Sequence, residues 1–142
     1  MKSRNQAAAA RARRAADKSG FSIPFTSLKN KVLSQGYQLS LVFVDTKFSK
    51  RLNRIYRGKD RPANVLSFPL SKRSPDCTGS GEIFIDLVTS KKEFKKFNMT
   101  FQKFVEYLYI HALLHLKGMR HGVRMEKLEQ KLLHDASNHN RH

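Results

Sequence analysis

A chain of 142 residues with 28 Lys and Arg against 11 Asp and Glu carries a formal charge of +17, which points to a polyanionic partner, nucleic acid before an anionic membrane surface. Its single cysteine, Cys77, excludes an internal disulfide and fits a reducing compartment. No apolar run approaches a membrane span and Ala7–Ala10 is too weak for a signal-peptide core, so a soluble, cytoplasmic protein is expected.

Apart from Met1, residues 1–19, MKSRNQAAAARARRAADKS, have no large apolar side chain to anchor them and read as a basic arm, disordered or transiently helical when free. The charge does not come from this arm alone. Residues 1–20 hold six basic side chains and one acid, so the remainder still has 22 against 10. A single domain is placed at residues 20–134.

Phe25, Leu28, Val32 and Leu33 recur at helical spacing, which predicts a helix over 26–35 with Gly36 as its stop. Leu39–Val44 is β-branched and aromatic and reads as a buried strand. Phe48, Leu52, Ile55 and Tyr56 restore helical spacing over 46–57, followed by a turn at Gly58–Pro62. Asn64–Phe68 is a short strand stopped by Pro69, residues 71–80 a loop, and Glu82–Asp86 another strand. Residues 88–97 form a basic helix or turn, and Phe101–Lys117 a long apolar helix ended by Gly118. Met125–Leu133 reads as a short amphipathic helix and residues 135–142 as a frayed tail. No helix is expected to pair a basic face with a bulky apolar one, which places a membrane surface behind nucleic acid. The fold class is α+β: a small mixed β-sheet flanked by helices, with the long apolar helix at its centre.

That helix carries the chemistry. Residues four apart lie about 40° apart around a helix, so His111 and His115 share a face and their imidazoles can converge on one ion. Gly118 suits a left-handed residue just past the helix end, letting the chain turn back to bring in His121. A lone histidine in an apolar helix is usually a hydrogen-bonded core residue. Three at i, i+4 and i+10, with a glycine between the last two, make a metal site. Three nitrogen ligands leave one position of a tetrahedral zinc open, the layout of a catalytic site, with one ion per chain. The zincin pattern H-E-x-x-H fails at Ala112, so a metal protease lacks its general base. Metal-assisted phosphodiester cleavage stays open.

Three blocks give a family resemblance. Leu52-Asn53-Arg-Ile-Tyr56-Arg57-Gly58-Lys59-Asp60, Asn64-Val65-Leu66-Ser67-Phe68-Pro69 and His111 to His121 resemble, in order, the signatures of the YbeY family. Gly81-Glu82-Ile83 is similar to the opening of a family strand, and the blocks span about residues 39–122. The resemblance implies an α+β fold with one sheet and a zinc ion held by His111, His115 and His121. It also implies a role for Arg57 in the active-site cleft. Single-stranded RNA would be the substrate, notably the 3′ end of small-subunit ribosomal RNA on the ribosome, in rRNA maturation and ribosome quality control. Arg120 stands where the family has Asp, Gly122 where it often has an acid, and Ala112 where it has Gly. The arm at 1–19 lies outside the resemblance.

Arg57, at a helix end, can hold phosphate bidentately and stabilise transition-state charge, or simply complement the helix dipole. Lys59 and Arg120 are candidate RNA contacts, although Lys59 with Asp60 also suits a turn. Ser67 fits a cleft wall or a plain strand position equally. Asn64, Val65, Leu66 and Phe68 read as fold-determining, Glu82 as a strand-end residue, and the phenylalanines of 94–104 as core. His134, His139 and His142 are not assigned to the metal. Two function classes follow: a metal-dependent endoribonuclease, or a ribosome- or rRNA-associated binding factor with a structural zinc.

Overall fold

The computed structural model describes residues 20–71 and 78–139. The expected arm at 1–19, most of the expected loop, Cys77 and residues 140–142 lie outside them. Helix α1 spans Phe25–Val32, strand β1 Tyr37–Val44, α2 Thr46–Arg57, β2 Val65–Pro69 and β3 Gly79–Asp86. Helix α3 follows at Leu87–Glu93, a 3₁₀ turn at Phe94–Phe97, α4 at Phe101–Leu116 and α5 at Val123–His139.

The sheet order is β1-β3-β2, with β1 parallel to β3 and β2 antiparallel to it. The sheet is therefore mixed and the class α+β, as expected. Ile83 and Ile85 of the central strand are fully buried, and α4 packs across β3 and β2. Almost every face of α4 is covered: Phe104, Val105, Ile110, Leu113 and Leu114 have no exposed surface. Gly81 sets how closely this helix approaches the sheet. A Cβ there would lie 2.4 Å from the Tyr37 hydroxyl oxygen and 3.0 Å from a Leu116 methyl carbon.

Short polar side chains mark the helix starts. Asp45 Oδ1 accepts from Phe48 N–H at 2.8 Å, and Thr100 Oγ1 from Lys103 N–H at 3.2 Å. Buried Asp86 caps α3 by accepting from Thr89 N–H at 2.8 Å, and it also accepts from the hydroxyls of Thr89 and Ser49, both at 2.7 Å. One carboxylate thus joins the end of β3 to α2 and α3.

Several boundaries differ from those read in the sequence. Helix α1 stops at Val32 because Ser34, at φ 112°, turns the chain before Gly36 is reached. Strand β3 begins at Gly79, inside the expected loop, because Gly79 and Ser80 pair in register with Tyr37 and Gln38 of β1. Pro69 ends β2 from within, which an edge strand tolerates. The largest correction is α5, which runs on to His139 through most of the supposed tail, with Ala136 buried against the core. Helix α5 also combines an apolar face with a basic one, contrary to expectation.

Candidate metal centre

The turn after α4 builds the site. Gly118, at φ 101°, donates its N–H to the His115 carbonyl at 2.9 Å, and Met119 N–H reaches the Leu114 carbonyl at 3.0 Å. This pair of bonds is a Schellman motif, and it reverses the chain. His121 then lands beside the helical pair, with ring centroids 5.0 Å from His111 and 4.5 Å from His115. One ligand nitrogen from each of the three lies within 4.8 Å of the others.

The outer nitrogens of the helical pair are held by acceptors. Glu129 Oε1 lies 2.7 Å from His111 Nδ1, and the Met119 carbonyl 3.2 Å from His115 Nδ1. A carbonyl only accepts, so His115 carries its proton on Nδ1, and the carboxylate favours the same tautomer in His111. Both Nε2 lone pairs then face inward, 3.0 Å apart. Two such nitrogens repel unless a cation lies between them. Bonds of about 2.0–2.1 Å to a tetrahedral zinc place nitrogens about 3.3 Å apart, so the donor set fits a metal. Burial lowers the His115 pKa, helped by the positive fields of His111, His121 and Arg57 against the raising bond from Met119. The neutral form that ligates is thereby favoured.

The histidines open into a cleft of about 660 Å³, whose far wall comes from α2 and the segment after it. Arg57, Lys59 and Arg61 line this wall. Its shape depends on buried Asn53, whose side-chain Nδ2 donates to the Arg61 backbone carbonyl at 2.9 Å, and whose backbone carbonyl accepts from Lys59 N–H at 3.2 Å. Gly58, left-handed at φ 68°, ends α2 between them. Asn64 and Ser67 complete the wall with Glu93, which accepts from Asn64 Nδ2 at 2.7 Å.

A family profile described as Endoribonuclease YbeY matches residues 5–137. The chain belongs to the YbeY family. Curated relatives carry the same name: one from Myxococcus xanthus is 39% identical over 106 residues, covering 69% of this chain and 36% of the relative. One from Thermodesulfovibrio yellowstonii is 37% identical over 106 residues, covering 67% and 64%. A third, from Pelotomaculum thermopropionicum, is 34% identical over 105 residues, covering 70% and 69%. The chain thus spans less than two thirds of the length of the first two. The solution structure of TM1509 from Thermotoga maritima shares the fold, with a TM-score of 0.58 at 23% identity over 99% of this chain and 88% of that one. The match from residue 5 takes in most of the segment that the sequence reading had left outside the resemblance.

Within this YbeY fold the four main site candidates come together: His111, His115, His121 and Arg57 all line one cleft, with Lys59 at its wall. Arg120 does not line it; its side chain borders an adjoining groove. Ser67 takes the cleft-wall alternative, whereas Glu82 pairs across the strands with Phe68 and stays away from the metal centre. The phenylalanines divide: Phe104 is fully buried, but Phe97 is 45% exposed and lines the cleft. His134 is exposed on α5. Sequence reasoning missed Glu129, Asn53 and Glu93. For Glu129 there was a signal, since it interrupts the buried stripe Met125, Leu132 and Ala136 at helical spacing, and an acid on a core face needs a partner. Asn53 was in the first signature block, but nothing local marked it as buried.

Proposed function

We propose that the protein is a zinc-dependent endoribonuclease that cuts single-stranded RNA. Its substrate would be ribosomal RNA of the small subunit near the 3′ end, processed in the cytoplasm during ribosome maturation and quality control. The observation that carries this reading is the meeting of three convergent imidazoles and Arg57 in one cleft with further cations on its wall. The family name of the relatives supports it.

His111, His115 and His121 would hold the ion, which when bound lowers the pKa of water toward neutrality and polarises a phosphoryl oxygen. Glu129 and the Met119 carbonyl fix the first two rings, so their nitrogens are aimed before an ion arrives. Arg57 binds the scissile phosphate and offsets the charge that develops on it. Lys59 and Arg61 hold the strand by its neighbouring phosphates, and Phe97 and Tyr107 give aromatic surface against which a base can lie. The cleft has a carboxylate in Glu93 although Ala112 and Arg120 are not acids. The remaining class is a binding factor with a structural zinc, for which the lack of an acid beside His121 speaks.

Cleavage of labelled single-stranded RNA, with and without chelator, by wild type and His115→Ala tests the proposal. Wild type should cut in a metal-dependent manner and retain about one zinc per chain, and the variant should do neither, since two ligands rarely hold zinc. RNA binding without turnover by metal-loaded wild type would replace the nuclease with the binding factor.

A further inference from the structure

A second basic feature lies next to the metal cleft and is not part of it. The turn after α4 and the outer face of α5 enclose a groove of about 700 Å³ bordered by Lys117, Arg120, Arg124, Lys127 and Lys131. Arg124, Lys127 and Lys131 are three and four residues apart, which puts them within about 60° of one another on α5 and spreads them over about 10 Å of its length. Of the acids of the helix, Glu126 and Glu129 lie elsewhere around it, whereas Asp135 shares the basic face one turn beyond Lys131 and is taken up by Lys31. Glu129 is spent on His111. Among the described residues no carboxylate pairs with Arg120, Arg124, Lys127 or Lys131, whereas Lys31 pairs with Asp135 at 3.4 Å. Met119 and Leu128, both half-buried, form an apolar floor.

We propose that this groove is a docking track for single-stranded RNA, which receives the strand as it passes the metal cleft and holds its phosphates away from the cutting point. The proposal rests on the RNA reading of the adjoining cleft. Continuity supports it: His121 lines the cleft and its neighbour Arg120 borders the groove, so one strand can run from the first to the second. Charge complementarity supports it too, since the row Arg124, Lys127 and Lys131, about 10 Å long and without a carboxylate partner among the described residues, suits a polyanion rather than a single small ion. An anionic membrane is the less suitable occupant. The apolar face of α5, with Met125, Leu132, Leu133 and Ala136, is buried in the core and cannot enter lipid.

The test compares the full chain with the triple variant Arg124→Gln, Lys127→Gln, Lys131→Gln, and with a charge-matched control, Lys47→Gln, Lys50→Gln, Arg51→Gln, on the exposed side of α2. Fluorescence anisotropy would measure binding to oligouridylate of about 5 and about 20 nucleotides between about 50 and 200 mM salt. On the long oligomer the slope of log affinity against log salt should become shallower by about 0.7 per cation removed, or about 2 in all. Across that fourfold rise in salt the groove variant should therefore lose about 20-fold less affinity than wild type. The short oligomer, which fills only the cleft, should bind almost as before, and the control should behave as wild type. Equal slopes for wild type and groove variant on the long oligomer would overturn the track. So would an equal loss in the control, or tighter groove-dependent binding to phosphatidylserine vesicles than to RNA. Groove-dependent RNA binding by a wild type that never cleaves would leave the track in place and remove the nuclease reading.

Discussion

Glu129 gives a quantitative handle on the metal centre that does not depend on turnover. Its Oε1 lies 2.7 Å from His111 Nδ1 and the residue is 3% exposed, so the bond forms away from water. Glu129→Gln keeps the shape and an acceptor oxygen but removes the charge. A hydrogen bond to a charged group contributes about 1.5–3 kcal/mol and a neutral one about half that. The difference, about 1–1.5 kcal/mol, corresponds to about a tenfold loss of zinc affinity at 1.4 kcal/mol per decade. Glu129→Leu leaves the His111 donor buried without an acceptor, at about 1–3 kcal/mol, so zinc affinity should fall by up to about 100-fold. Competition against a chromophoric chelator would measure both constants, and circular dichroism would confirm that the variants fold. Equal zinc affinity in wild type, Gln and Leu variants of equal helicity would refute the role given to this carboxylate.

Replacing Arg57 by Ala should cut single-turnover cleavage by about two to three orders of magnitude, with zinc content unchanged and Lys a poor rescue; equal rates would take Arg57 out of the mechanism. For Asp86, burial raises the pKa, but the hydrogen bonds from Thr89, Ser49 and Thr46 outweigh it and bring the carboxyl below its ordinary value of 3.8. Its contribution to stability is therefore complete above that value and is lost as pH falls through the lower, folded one. Urea titrations from about pH 5 to about pH 2 should show wild type losing more stability than Asp86→Asn, and parallel curves would contradict the hydrogen-bond account. Gly81→Ala should lower stability by about 1–3 kcal/mol through overpacking against Tyr37 and Leu116, and an unchanged melting temperature would show that the helix is not held to the sheet at this point.

The parts of the site that were legible in the sequence are those whose spacing is local. His111 and His115 are one helical turn apart, and Gly118 marks the place where the chain must reverse, so the metal centre follows from a stretch of eleven residues. Arg57 belonged to a block resembling a family signature, and its position at the end of α2 agrees with the left-handed Gly58. The contacts that orient these residues join distant segments. Glu129 is 18 residues from His111, and Glu93 is 29 from Asn64, separations at which periodicity carries no information. The misplaced ends have the same cause. The polar stretch after Leu133 has weak helix preference, yet Ala136 packs into the core and carries α5 past it. In β3, Gly79 and Ser80 resemble loop residues and are strand only because β1 lies alongside.

The Schellman turn after α4 places His115 in the last turn of its helix, where opening costs least. The amides of Gly118 and Met119 close that turn, and the carbonyl of Met119 grips the ring of His115. Opening the helix end and releasing the ring are therefore a single event. An ion bridging the three histidines would act as a rivet through that end, because His121 lies beyond the turn and His111 before it. Amide hydrogen exchange at Gly118 and Met119 should slow when zinc is added, while exchange in the middle of β3 stays as it was. The affinity of the centre and the stability of one helical turn would then be the same quantity seen from two sides.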